Sequence, residues 1–368
     1  MSRPQSAEAH IALGNAHAGR GDATAAISAF QAALNAKPAS GEAAMALNSI
    51  ARCYAHIGRL NEAVDYATQS MLAAASTSAT TYLATLLYQT GRQGEAAKIF
   101  ARSGVQENAS PTLLMCFGQL FIQLEQREMG IAAYDLSAER RPLRTVKNDA
   151  PPAAWAANSP YSVQNPSPRY AELIEQYKIL HQQAQSKLRG QGQMFEGIVG
   201  FAIVAPYVRR FRQKVGAKTM LDYGGGRGAQ YKLGEIKLGS ETFSSSLAYL
   251  GLQNAVCFDP GFDSNAPADQ YDLVICVDAL EHCDRQDLPW IVRTLFQKAS
   301  SGVFANIASY PAGKILPNGE NAHCTVEDAS WWMGLFRAVA DEFPAVPYEV
   351  IVSKDLQQAD RVAFGRGV

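Results

Sequence analysis

The run Leu221-Asp222-Tyr223-Gly224-Gly225-Gly226-Arg227-Gly228 decides how this chain is read. The apolar lead-in Thr219-Met220-Leu221 predicts a buried strand. Four glycines within the next five residues end that strand in a tight loop, whose backbone can approach a ligand with no Cβ in the way. Further along, Val256-Cys257-Phe258-Asp259 is a second short apolar run, and it closes on a carboxylate. In a doubly wound sheet, a Gly-rich turn after the first strand and an acid after the second clamp an adenosine-bearing cofactor at the carboxyl ends of the strands. A lone glycine loop is equally a surface turn, so the downstream sequence must decide between the two.

A third apolar strand, Tyr271 to Val277, runs into Asp278-Ala279-Leu280-Glu281-His282. The order of these three segments resembles the class I S-adenosylmethionine-dependent methyltransferases, over roughly residues 195 to 355. Gly224, Gly226 and Gly228 give G-x-G-x-G, where a nicotinamide-binding fold has G-x-G-x-x-G. The resemblance implies an α/β doubly wound, Rossmann-like domain with S-adenosyl-L-methionine as cofactor. It also implies roles. The backbone of Gly224, Gly225, Gly226 and Gly228 cradles the amino-acid and ribose side, and Asp222 braces the loop and meets the amino group. Asp259, followed by Pro260, takes both ribose hydroxyls, which a carboxylate can accept together; a helix N-cap is the plain alternative. Asp278, Ala279 and Leu280 face the sulfonium, and Glu281 and His282 open the following helix near the acceptor.

A second motif, Leu316-Pro317-Asn318-Gly319-Glu320-Asn321-Ala322-His323-Cys324-Thr325, comes after the strand-like run Gly302 to Ala308 and precedes Trp331-Trp332. It resembles the acceptor loop of a bacterial subgroup of small methyltransferases. His323 is the first candidate for a general base, since an unperturbed imidazole titrates near neutrality; its alternative is to tie the loop to itself. His282 is the second candidate, or only shapes the pocket. The adjacent pairs His282-Cys283 and His323-Cys324 lack the spacing of a zinc site, so no metal is expected.

The domain departs from that family in two places. Asp222 to Asp259 is 37 residues, where a loop, a helix and a strand need about 20. The excess at 234–246 reads as a flap beside the site. Asp259 to Asp272 is only 13 residues, too few for a helix and a strand, so one such unit is missing. The acid expected near the adenine then has only Asp263 or Asp269 as a stand-in.

The first third repeats. Leu13-Gly14, His17, Ala26, Phe30, Ala33 and Pro38 are echoed by Ile50-Ala51, Tyr54, Gly58, Ala63 and Ala67, by Leu83-Ala84, Leu87, Gly91, Ala96 and Phe100, and by Phe117-Gly118, Phe121, Gly130, Tyr134 and Pro142. The steps from Leu13 to Ile50 to Leu83 to Phe117 are 37, 33 and 34 residues. This ladder resembles tetratricopeptide repeats, in which a small residue on one helix admits a bulky one from the next. A generic helical bundle is the alternative. The reading is therefore an all-α repeat domain of about four helix pairs over 1–142, a Pro-rich linker over 143–169, and a methyltransferase domain over 170–368. The two folded parts are expected to be separable, with a protease-sensitive segment between Val146 and Pro168; Trp155 and Tyr161 argue against a fully disordered tether and leave open that it lies across a domain face. Helices are predicted over 170–188 and 198–211, the latter ending in a basic cluster, Arg209, Arg210 and Arg212, that balances its dipole.

Composition bounds the function. The net charge of -1 gives no global pull toward nucleic acid or an anionic membrane. No apolar run approaches the ~20 residues of a membrane span. The first residues, Met1-Ser2-Arg3-Pro4-Gln5, lack the apolar core of a signal peptide, and six scattered cysteines suit a reducing cytoplasm. Three function classes compete. The first is methyl transfer to a small-molecule or glycan acceptor, with repeats that dock a protein partner or build a homo-oligomer. The second is a protein methyltransferase whose repeats hold the polypeptide. The third is a non-catalytic repeat scaffold. A closed pocket lined by Tyr310, His323, Trp331 and Trp332 would favour a small acceptor.

Overall fold

The computed structural model describes residues 6–74, 76–102, 109–124, 126–141, 143–188, 198–238, 241–263, 267–354 and 361–367. The stretches Met1 to Gln5, Phe195 to Gly197 and Gly239 to Ser240, and the repeat residue Pro142, lie outside them. The chain divides into two compact units, 1–124 and 125–368.

The first unit is an array of antiparallel helices: α1 (Ala7–Gly19), α2 (Ala23–Asn35), α3 (Ser40–His56), α4 (Leu60–Ala73), α5 (Thr77–Gln89), α6 (Gln93–Arg102) and α7 (Pro111–Gln123). Capping explains several starts: Ser6, Asp22, Ser76 and Ser110 each accept a hydrogen bond from a first-turn amide with the side chain. The turns within the first three pairs fall at Gly21, Gly58 and Gly91, all with positive φ. Gly14 shows why the repeat needs a small residue. A Cβ there would lie 2.5 Å from the Phe30 ring, so α2 could not approach α1. Ala26, Phe30, Ala33, Ile50, Ala63, Leu83, Ala96, Phe100 and Phe117 of the ladder are buried, whereas Leu13 is 44% exposed. The N-terminal region is thus a tetratricopeptide-like helical array.

The second unit is α/β. It begins with α8 (Arg127–Arg140), which the sequence reading assigns to the fourth repeat. Then come β1 (Arg144–Thr145), α9 (Ala154–Ala157), α10 (Pro168–Leu188), α11 (Ile198–Val215), β2 (Thr219–Tyr223), β3 (Ile236–Leu238), β4 (Glu241–Phe243), α12 (Ser246–Leu250), β5 (Asn254–Phe258), β6 (Tyr271–Val277), α13 (Leu288–Lys298), β7 (Ala299–Ala308), α14 (Ala329–Ala340), β8 (Tyr348–Ser353) and β9 (Arg361–Arg366). Seven strands form one sheet in the order β1-β9-β8-β7-β6-β2-β5. From β5 to β8 all neighbours are parallel; β8 and β9 are antiparallel. α13 packs on β6 and β7 and against α14, while α11 meets β6 and β7 through Phe211, which packs on Phe304. Strands covered on both faces lose the polar alternation, which is why β6 from Leu273 to Val277 and most of β7 from Val303 to Ala308 are apolar.

Three sequence expectations are corrected. The Pro-rich segment is no tether. Val146 donates to the Ala363 carbonyl at 2.8 Å beside the β1–β9 pairing, Asn148 bonds the Tyr348 hydroxyl at 2.8 Å, and Ala153 donates to Gly334 at 3.0 Å. Prolines forbid a regular element but not an extended strap docked on an edge. The 234–246 excess is the β3–β4 hairpin, and β3 packs on α8. The basic cluster does more than balance a dipole. Arg209 and Arg210 approach Asp135 of α8 at 3.4 and 3.6 Å, and Arg209 also covers the Phe243 and Tyr249 rings. Burial keeps the Asp135 carboxyl above its usual range against the pull of both guanidinium groups. The described residues between β5 and β6 contain no helix, matching the short spacing there.

Candidate functional site

Strand order reverses at β2, which has β5 on one side and β6 on the other. Loops leaving the carboxyl ends of such a pair part to opposite faces and open a crevice between them. The glycine loop leaves β2 at this point. Gly224, Gly226 and Gly228 all have positive φ. Gly224 donates to the Phe258 carbonyl at 2.7 Å, and Gly226 donates to Asp259 Oδ2 at 3.1 Å. Asp259 Oδ1 accepts from Gly261 at 2.8 Å, and the Asp259 amide bonds Asp263 Oδ2 at 2.9 Å. So Asp259 ties the turn after β5, with Pro260 inside it, to the loop after β2. Asp263 serves that brace.

Crowding dictates glycine beneath the loop. A Cβ on Gly225 would fall on the Asp222 carboxyl, whereas one on Gly226 would meet open space. Asp222 is 2% exposed. Its Oδ2 accepts from Gln230 at 3.0 Å and Tyr231 at 2.8 Å, and its Oδ1 is buried without a partner. Burial lifts this carboxyl to about 6, against those two hydrogen bonds.

Asp278, next after β6, has a φ of 48°. Its amide bonds the Asn306 carbonyl at 3.0 Å and its Oδ1 accepts from Asn306 Nδ2 at 2.8 Å; a Cβ on Gly200 of α11 would collide with it. Ala279 packs under Gly224, 2.6 Å from where a Cβ would stand. Leu280 is different: its side chain is buried in the core with Ile291 and Trp332. Glu281 and His282 form a short 3-10 turn rather than opening α13. Glu281 is wholly buried, with Oε1 accepting from Ala308 at 2.8 Å and Oε2 unpartnered. Burial, then the nearby Asp278, drives its carboxyl well above the usual range.

The two imidazoles meet. His282 and His323 lie edge to face with centroids 4.8 Å apart. His323 Nδ1 is 2.6 Å from the Tyr310 carbonyl, so Nδ1 carries the proton; its amide bonds Asn321 Oδ1 at 2.9 Å. Burial lowers the pKa of His323, against that hydrogen bond, which leaves the ring neutral with a lone pair on Nε2. Tyr177 from α10 joins them. Its hydroxyl lies 2.7 Å from His282 Nδ1 and also meets the Ala322 carbonyl. The sequence reading gives neither Tyr177 nor Asn306 a role. Both carried a signal: a phenol on a buried stripe needs a partner for its hydroxyl, and an Asn inside an apolar strand must be hydrogen-bonded.

The tryptophans do not join this group. Trp332, on α14 itself, is wholly buried. Trp331 stacks on Trp155 and lines a separate open cavity of about 360 Å³ with Pro151, Asp328 and Gly334, without Tyr310 or His323. Among the described residues no group of three or more His, Cys, Asp or Glu side chains is arranged to hold a metal, and no helix is long and apolar enough to cross a membrane.

A model of the tetratricopeptide repeat family matches residues 7–40. Among solved structures, the chain is similar to YrrB, described as a tetratricopeptide repeat protein with an unusual peptide-binding site, at 19% identity over 37% of this chain and 69% of that one, with a TM-score of 0.34. MamA is similar at 18% identity over 37% of this chain and 73% of its own, with a TM-score of 0.33. A tetratricopeptide repeat protein from Parabacteroides merdae is similar at 18% identity over 57% of this chain and 77% of its own, with a TM-score of 0.33. No curated protein matches the chain.

Proposed function

We propose that the α/β unit binds S-adenosyl-L-methionine and transfers its methyl group to a small-molecule or glycan acceptor, while the repeats dock a protein partner. One observation carries this reading. The glycine loop sits at the reversal of strand order and is tied by the Gly226 amide to Asp259 at 3.1 Å, so loop and acid form one cradle. The residues fit the cofactor chemically. The buried, unpartnered Asp222 Oδ1 lacks a donor, Gly226 faces open space, and Asp259 is a carboxylate, which can accept from two hydroxyls.

When bound, the cofactor supplies an electrophilic methyl on a sulfonium. The chain supplies placement and a proton acceptor. Asp259 and the loop amides fix the ribose side, Asp278 lends negative charge at the end of β6, and Asn306 holds its carboxyl still. His323, neutral and protonated at Nδ1, takes a proton at Nε2. The docking role given to the repeats rests on the family match at residues 7–40. Calorimetry with S-adenosyl-L-methionine tests the reading. Micromolar binding is expected, weakened by about 1.5–3 kcal/mol in Asp259→Ala through loss of charge-assisted hydrogen bonds. No binding by the wild type, or equal binding by the variant, removes the assignment.

A further inference from the structure

We propose that Tyr177 is the positioning residue of the acceptor subsite and that this subsite takes a hydroxyl group; the proposal rests on the methyl-transfer reading above. Three polar atoms meet at Tyr177: its own hydroxyl, His282 Nδ1 at 2.7 Å and the Ala322 carbonyl, which is itself 2.8 Å from His282 Nδ1. A carbonyl only accepts, and a hydroxyl has one proton. One proton arrangement serves all three contacts. The Tyr177 hydroxyl donates to the carbonyl, and His282 carries its proton on Nδ1, shared between the hydroxyl and the carbonyl. Ala322 immediately precedes His323, so Tyr177 fixes the backbone that carries the second imidazole without touching the acceptor. His323 is held from its other side by the Tyr310 carbonyl.

The chemistry of that end of the unit selects a ligand class. His323 Nε2 has a lone pair and no hydrogen-bond partner among the described residues, so it meets a group that brings a proton. The two arginines reaching the 310–328 segment are engaged: Arg169 by Glu172 and Glu320, Arg285 by Glu327, while Lys314 is exposed to solvent. A carboxylate or phosphate acceptor would have to compete with those carboxylates for either arginine. A neutral amine attacks with its own lone pair, whereas a hydroxyl is a weak nucleophile until it gives up its proton, the task to which a neutral imidazole is suited. In the step, the hydroxyl oxygen forms the new O–C bond as the C–S bond breaks. The electron pair of the broken bond stays on sulfur, giving a neutral thioether, and the hydroxyl proton passes to His323 Nε2 and then to solvent.

The test is nitrogen-15 NMR of the histidine rings in the full chain at pH 8. The sequence has only six histidines, and His282→Gln and His323→Gln spectra assign these two. In the wild type both rings are expected as Nδ1–H with an unprotonated Nε2. Tyr177→Phe keeps the helical circular dichroism, holds S-adenosyl-L-methionine affinity within about threefold and leaves His282 as Nδ1–H on the Ala322 carbonyl, but shifts and broadens the His323 ring signals as the backbone that carries them loosens. Unchanged His323 ring signals in Tyr177→Phe overturn the positioning role. Nε2–H at His323 in the wild type overturns the hydroxyl assignment, because the ring would then offer a proton instead of taking one. If the variant does not fold, Nε2–H at His282 in the wild type still defeats the proposal and Nδ1–H supports it. Absence of cofactor binding by the wild type would remove the methyl-transfer reading alone, leaving the tautomer result standing as a separate fact.

Discussion

Asp222 is placed against its own stability. Burial raises its carboxyl to about 6, from an ordinary value near 3.9. A raised folded pKa means that its contribution to stability is fully present below about pH 4 and is lost as pH rises through about 6. Asp222→Asn should therefore stabilise the ligand-free protein at pH 8, by up to about 3 kcal/mol, and flatten the loss of stability between pH 4 and 6. Thermal unfolding across that range measures it; an unchanged slope would mean that the folded protein does not hold the carboxyl high. The same ionised carboxylate is what a cationic ligand would reward. Affinity for S-adenosyl-L-methionine is expected to drop by up to tenfold between pH 7 and 5 in the wild type and to lose that dependence in Asp222→Asn. Glu281 makes a sharper contrast. Burial, then the nearby Asp278, drives its carboxyl well above the usual range and favours the neutral form, with Oε1 held by the Ala308 amide. Glu281→Gln should then change stability by less than about 1 kcal/mol, while Glu281→Ala strands the Ala308 amide and costs about 2–4 kcal/mol. Chemical denaturation of the pair separates a neutral buried acid from a charged one.

At the scale of elements, the legible features are those that local sequence controls. The helices over 170–188 and 198–211 and strands β2, β5 and β6 arise from periodicity and apolar runs. The glycine turns of the repeats arise from backbone sterics. The destination of a segment without periodicity is not legible. Nothing in Pro151-Pro152 says that Ala153 will donate to Gly334 or that Arg337 will bond the Ala150 carbonyl, because both partners lie more than 180 residues away. The same limit hides the imidazole pair: His282 and His323 each stand out in the sequence, but their meeting and the arrival of Tyr177 from α10 depend on three separate loops and helices. The docked strap makes a prediction opposite to a free tether. Limited proteolysis should spare 146–168 in the wild type. Gly334→Ala, whose new Cβ would stand 3.0 Å from the Pro151 carbonyl, should lift the strap and expose cleavage sites there. Rapid cleavage of the strap in the wild type would count against the docking.

For the whole molecule, the sequence repeat and the folded units disagree about one helix, and the disagreement has energetic content. The ladder counts α8 as the second half of a fourth repeat, because Gly130 and Tyr134 keep the spacing. The units divide at 124–125 and give α8 to the α/β part. Periodicity records only which face of a helix is apolar; it does not name the partner that covers it. The deciding contacts are long-range: α8 packs on α11 and β3, and Asp135 meets Arg209 and Arg210. Two truncations tell these boundaries apart. A fragment of residues 125–368 keeps α8 and should unfold cooperatively and bind S-adenosyl-L-methionine with the affinity of the full chain. A fragment of residues 143–368 cuts where the repeat pattern ends. It uncovers the α11 face and takes Asp135, the buried carboxylate, from Arg209 and Arg210, leaving the Arg209 guanidinium, 19% exposed, only the exposed Glu241 at 3.6 Å. Breaking a largely buried pair costs about 3 kcal/mol before the lost apolar contact is counted, a large fraction of a domain's net stability. The shorter fragment is therefore expected to aggregate or to melt well below the longer one. Asp135→Ala in residues 125–368 should reproduce part of that loss on its own. Equal melting of the two fragments would return α8 to the repeats and the boundary to residue 142.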